Sequence, residues 1–185
     1  MLLHRFAAAL AVALSLLAAP AMAQTADPEN TLVMQLKDGT VTIQLRPDLA
    51  PKTVEQVKAL VRQKFYDGLV FHRVIAGFMA QTGDPTGTGS GGSTLPDLKA
   101  EFNKTPFKRG VLGMARTSDP NSANSQFFIT FGDASFLNGK YTVFGEVVDG
   151  MDAVDAIKKG DEANNGSVDN PDKIISLRVA ADAKK

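Results

Sequence analysis

"GTGSGGSTLPDLKAEF", residues 87–102, opens on glycines spaced as G-x-G-x-x-G. That spacing lets a backbone turn cradle the pyrophosphate of a dinucleotide at the end of a parallel sheet, so this stretch separates two fold classes. A dinucleotide site needs a helix that starts inside the glycines, because its first amides hold the phosphate. Here Gly92 is followed by Ser93, Thr94, Leu95 and Pro96, and no helical period develops as far as Phe102. Nor does an acidic residue end a second parallel strand. The glycines from Gly83 to Gly92 therefore read as a loop, and a nucleotide-dependent enzyme is rejected on context.

Outward from the loop, the chain alternates with period two. Leu32, Met34 and Leu36 alternate with Val33 and Gln35, and Val41, Ile43 and Leu45 with Thr42, Gln44 and Arg46. Asp38-Gly39 between them is predicted to make a hairpin turn. Shorter strand-like runs follow at 69–74, 78–81, 111–115, 126–130, 141–148 and 173–179. Pro51 suits the first turn of a helix carrying Val54, Val57, Leu60 and Val61 at helical spacing, and a second helix is predicted over Met151–Lys158. Eight short strands and two helices, with no strand–helix–strand rhythm, predict an all-β antiparallel barrel. The polar stretch Gly160–Pro171, "GDEANNGSVDNP", reads as a surface loop within one domain.

The start of the chain has a different character. His4 and Arg5 precede an apolar run from Phe6 to Ala19, then Pro20 and the small-residue triplet Ala21-Met22-Ala23. The run is short for a bilayer, and the layout predicts a secretory signal peptide over 1–23, with the folded domain over 24–185. Cleavage there leaves 162 residues and takes away one arginine and no acid, so the net charge moves from 0 to −1. Such a balance gives no electrostatic reason to expect nucleic acid or an anionic membrane as partner. The chain has no cysteine, so its stability rests on a packed core even in an oxidising compartment. His72 is the only histidine after residue 23, which leaves almost no material for a histidine triad or a His/Cys metal site; it is expected to be buried and structural.

What flanks the glycine loop is more specific than the loop. Upstream stands "FHRVIAGFMAQTGD" (71–84); downstream stand "GVLGMART" (110–117), "NSQFFIT" (124–130) and "FLNGKYTVFGEVVDGMDAVDAI" (136–157). In this order and spacing they resemble the cyclophilin family of peptidyl-prolyl cis/trans isomerases, from about Leu32 to Val179. The resemblance implies a closed eight-stranded antiparallel barrel capped by two helices. It further implies isomerase activity on X-Pro bonds in unfolded or flexible polypeptides, with no cofactor and no metal. Arg73 would be the catalytic donor, oriented by Gln81. Phe78, Met79, Phe128 and Leu137 would form the proline pocket, with Gln126 flanking it and the main chain around Arg116 holding the extended peptide. Phe136 and Tyr141 stand where many members have Trp and His, so weak binding of the inhibitor cyclosporin is expected. Arg116 stands where many have Asn. "MART" resembles the bacterial exported members, which points to the periplasm, with secretion as the alternative.

The same residues make physical sense unaided. Period two puts Gln126, Phe128 and Thr130 on one strand face and Phe127 and Ile129 on the other. Phe71 and Arg73 are likewise expected to share a face. An arginine among Phe78, Met79 and Phe128 would be a costly core member, but it fits the wall of an apolar cleft, held by an amide such as Gln81. Proline isomerisation needs that pairing. The barrier of about 18–20 kcal/mol comes from imide resonance, and at the twisted transition state the prolyl nitrogen regains a basic lone pair. A donor aimed there binds the twisted state better than either planar one. A proline-binding module or holdase with little turnover is the rival reading, and it would not need Arg73.

Overall fold

Leu32, Met34 and Leu36 on β1 (Thr31–Leu36) and Val41, Ile43 and Leu45 on β2 (Gly39–Leu45) all bury their side chains, as the alternation requires. The two strands pair antiparallel from Thr31–Gln44 to Leu36–Gly39. Lys37 and Asp38 form the turn, one residue earlier than the sequence suggests; Gly39 already lies in the ladder. The computed structural model describes residues 27–184, so the segment read as an export signal lies outside the described residues.

Six further strands complete one sheet: β3 (Arg73–Ile75), β4 (Met79–Thr82), β5 (Val111–Met114), β6 (Phe127–Thr130), β7 (Val143–Asp149) and β8 (Ser176–Val179). Their order is β3-β4-β6-β5-β7-β2-β1-β8, and every pairing is antiparallel. Val74 from one edge and Leu177 from the other belong to the same buried cluster, so the sheet curls round a common interior. The expected closed barrel is not formed. Edges β3 and β8 do not pair; the seam between them is crossed by one isolated bridge, Val70–Lys173, with main-chain bonds such as Phe71 N–H to Asp172 O at 2.9 Å. The cause is local: Gly68 and Asn170 have φ of +78° and +50°, and Pro171 has no N–H, so neither flank of the seam runs as a strand. The architecture is an eight-stranded antiparallel half-barrel.

The same irregularity corrects a second expectation. Residues 69–72 are not in the ladder, and alternation does not carry through them. Phe71 joins the interior cluster with Val74, while Arg73 faces outward.

Two helices pack on this frame. α1 (Pro51–Arg62) buries Thr53, Val54, Val57, Leu60 and Val61 and lies against β8. Its N-cap residue, Ala50, offers no side-chain cap. The Glu101 carboxylate replaces it, accepting from the N–H groups of Lys52 and Thr53 at 3.0 and 2.9 Å and from the Thr53 hydroxyl at 2.7 Å. α2 (Met151–Asp155) lies against β2 and ends three residues short of the predicted Lys158.

The sheet has two apolar faces across β4, β6, β5 and β7. Phe127 and Ile129 point into the interior, while Phe128 points outward into a second cluster with Met79, Phe107, Val111, Ala134, Leu137 and Val143. Thr130, on the Phe128 side, is fully buried and bonds to Lys108 O and Val111. This outer cluster is the base of the site.

Candidate active site

Sheet register alone lines up the polar groups. Arg73 on β3 stands opposite Gln81 on β4, and Gln81 stands opposite Phe128 on β6. Directly opposed residues sit close enough for their side chains to interact. Arg73 donates from Nη1 to Gln81 Oε1 at 3.1 Å. Gln81 Nε2 donates onward to Gln126 Oε1 at 2.9 Å, and Gln126 Nε2 to the carbonyls of Gly89 and Gly91 at 3.0 and 2.8 Å. Each amide is oriented by the next, so the arginine is tied to the glycine loop through two glutamines.

The loop is therefore not a phosphate cradle. The Gly89 and Gly91 carbonyls meet Gln126, and N–H groups of the loop are taken up from below by Asp84, which is almost fully buried. Thr86 N–H, Thr88 N–H and Gly89 N–H reach the Asp84 carboxylate at 2.7, 3.1 and 2.6 Å. Burial by itself would raise the Asp84 pKa, but these hydrogen bonds, with that of the Thr86 hydroxyl, hold it down at about 2.

Beside Arg73 opens a cavity of about 280 Å³. Met79, Phe128 and Leu137 are its buried base, and Phe78, Phe136 and Tyr141 line it with them. Phe107 stacks under Phe128 with ring centres 5.6 Å apart, and Tyr141 meets Phe128 edge-on at 5.9 Å. Arg73, Gln81, Ala115 and Arg116 supply the polar wall. Burial lowers the Arg73 pKa from its ordinary value, with Tyr141 acting the other way, and an arginine remains cationic at physiological pH. The Arg116 guanidinium lies 4.5 Å from the Tyr141 ring centre and 5.8 Å from that of Phe102. Its donors go to Lys140 O and Thr117 O, so this side chain builds the wall.

All the residues singled out from the sequence meet here except Gln126, which lies in an adjoining polar cavity of about 600 Å³. The two cavities share Gln81, Ala115 and Arg116. His72 is buried, and burial lowers its pKa. Two contributors escaped sequence reasoning. Ala115 has no side-chain chemistry to notice. Asn165, in the polar loop, bonds Arg73 twice: Nε donates to its carbonyl oxygen and Nη2 to its Oδ1, both at 3.0 Å. Only the Asn165-Gly166 pair hinted at it, as a dipeptide suited to positive φ.

With this geometry in place, comparison with known proteins gives a consistent result. Residues 31–179 match the family model described as cyclophilin type peptidyl-prolyl cis-trans isomerase/CLD. The chain is 60% identical over 189 aligned residues to a probable peptidyl-prolyl cis-trans isomerase of Brucella suis, covering 96% of each. It is 45% identical over 125 residues to the human peptidyl-prolyl cis-trans isomerase-like 3, covering 65% of this chain and 77% of that one. A cyclophilin crystal structure from Hirschia baltica aligns with a TM-score of 0.76 at 29% identity, over 84% of this chain and 76% of that one. A Cryptosporidium parvum cyclophilin-type isomerase, solved in the presence of the dipeptide Ala-Pro, aligns at 0.74 and 30% identity, over 80% and 98%. Motifs, half-barrel and matched relatives agree, and the chain belongs to the cyclophilin-type peptidyl-prolyl cis-trans isomerases.

Proposed function

We propose that the isomerase acts on X-Pro bonds in unfolded or flexible polypeptides, with the proline ring in the 280 Å³ pocket and Arg73 as donor to the prolyl nitrogen. One observation carries this reading: a guanidinium, held by Gln81 at 3.1 Å, stands on the polar wall of a pocket whose base is the apolar Met79, Phe128 and Leu137. A planar imide nitrogen has its lone pair in resonance and accepts poorly. The twisted nitrogen accepts well, so the donor favours the transition state over both ground states. Low dielectric in the pocket strengthens that interaction. An acceleration of about 10⁵-fold requires roughly 7 kcal/mol, more than one charge-assisted hydrogen bond of about 1.5–3 kcal/mol supplies. Packing of the ring on Met79, Phe128 and Leu137, and main-chain contacts beside Arg116, contribute the remainder by holding one side of the bond while the other turns. The Ala-Pro dipeptide used with the Cryptosporidium relative supports a proline-bearing ligand for the same pocket here.

Arg73→Ala tests the reading in a protease-coupled or NMR-exchange assay. It should lower kcat/KM by about 100-fold, roughly 2.7 kcal/mol, with little change in peptide affinity or melting temperature. Arg73→Lys should recover little, since a point charge lacks the forked geometry. Turnover close to wild type in Arg73→Ala would leave the chain a proline binder and remove the mechanism.

A further inference from the structure

The loop Gly160–Pro171 has no part in the mechanism so far, yet it is built against the catalytic strand. Val74 N–H donates to Gly166 O at 2.8 Å and Gly160 N–H to Val74 O at 2.9 Å, so the loop docks on the free edge of β3. It is braced internally by Gly166 N–H to Asp161 O at 2.8 Å and Ser167 N–H to Asn164 O at 3.0 Å. Gly166 has φ of +78° and rests so closely on β3 that a Cβ would come within 3.1 Å of Val74 O. Asn165, with φ of +53°, is thereby presented to Arg73. Left-handed backbone suits Asn better than other side chains, apart from Gly.

We propose that Asn165 is a positioning residue for the isomerase reaction, gripping the edge of the Arg73 guanidinium that Gln81 does not reach and so fixing where the free donors point. Gln81 takes one hydrogen of Nη1; Asn165 takes that of Nε and one of Nη2. Three of the five guanidinium hydrogens are then committed, on both long edges of a planar group, which stops it from pivoting about a single bond. One hydrogen remains on each terminal nitrogen, and Nη1 lies 4.0 Å from Met79 Sδ at the base of the pocket. Among the described residues, the Asn165 side-chain amide has one hydrogen-bond partner, Arg73, whereas the docking of the loop uses the main chain of its neighbours. Holding the edge of β3 and orienting the donor are therefore separable.

The inference rests on Arg73 being the donor, and the test keeps the two apart. Asn165→Gly keeps the main-chain carbonyl contact and the positive φ and removes the side chain, and with it the Oδ1 hydrogen bond to Arg73. It should lower kcat by about five- to tenfold, the range expected for one lost hydrogen bond, leaving KM and melting temperature nearly unchanged. Asn165→Asp restores an acceptor at the same reach and should recover about half or more of the wild-type kcat. In an Arg73→Ala background, Asn165→Gly should change nothing further, because the group it positions is gone. Equal losses in both backgrounds would make Asn165 a structural residue and overturn the proposal. So would wild-type kcat in Asn165→Gly while Arg73→Ala is crippled, an outcome that leaves the donor reading standing. Wild-type turnover in Arg73→Ala would remove both.

Discussion

Phe136 stands at the mouth of the pocket 60% exposed, its ring centre 5.2 Å from that of Phe78. An aromatic left this wet offers area to a ligand but no hydrogen. Where many cyclophilins have Trp, the indole N–H can donate to cyclosporin. With Phe136 the matching carbonyl of the drug would be desolvated unpaired, at a cost of about 1–3 kcal/mol. Inhibition by cyclosporin should be roughly ten- to a hundred-fold weaker than for a Trp-bearing relative, and Phe136→Trp should recover much of it with little change in peptide turnover. Titrating the drug into the isomerase assay of both variants decides this; equal inhibition would show that the drug does not use this position. At the scale of single residues the sequence was readable where chemistry was unusual for its setting. A charged Arg73 among Phe78, Met79 and Phe128 asks for an explanation in any sequence. Asn165 does not, since its link to Arg73 spans 92 positions and depends on a loop conformation that no periodicity encodes.

β5 shows what a strand must omit to make room for a site. Gly113 lies opposite Phe128, and a Cβ there would stand 2.6 Å from the Phe107 ring and closer still to that of Phe128. Both rings belong to the base of the pocket and are already packed, so overpacking cannot be absorbed cheaply. Gly113→Ala should cost about 1–3 kcal/mol of stability by thermal melting and raise KM by tilting Phe128. A variant with both quantities unchanged would mean that the rings have slack. Strands with strict alternation, such as Thr31–Leu36, could be read directly, because one face is buried along their whole length. The Asp38-Gly39 turn was misread by one residue, since turn composition locates a hairpin but cross-strand pairing sets its register. Residues 69–72 are apolar and β-branched enough to look like strand, yet Gly68 at φ of +78° and Pro171 across the seam keep them out of the ladder. Barrel closure was illegible for the same reason: it depends on two segments about 100 residues apart meeting in register, and they meet only in the Val70–Lys173 bridge and a few irregular main-chain bonds such as Phe71 N–H to Asp172 O.

Taken whole, the molecule is one sheet dividing two apolar clusters, with the glycine loop joined to the outer one through Gln126 and Gln81. The anchor of that loop is Asp84, buried in a ring of N–H donors, and its charge links the site to global stability. Its pKa is about 2 in the folded protein against an ordinary value of 3.8. A depressed carboxylate binds its proton less readily folded than unfolded, so its contribution is fully present above the ordinary value and is lost as pH falls from about 4 towards 2. At 1.36 kcal/mol per unit this amounts to about 2 kcal/mol. Exposed carboxylates such as Asp155, paired with Arg109, shift in the same direction but are screened and contribute little. Asp84→Asn should therefore be less stable than wild type at pH 7 by about 2 kcal/mol, because its amide turns N–H groups towards donors that need an acceptor. Between pH 4 and 2 its stability should fall less steeply than that of wild type, so the two curves converge. Urea titrations of both proteins across that range measure the convergence. Parallel curves would show that acid sensitivity resides in other carboxylates and that the Asp84 charge does not hold the loop to the fold.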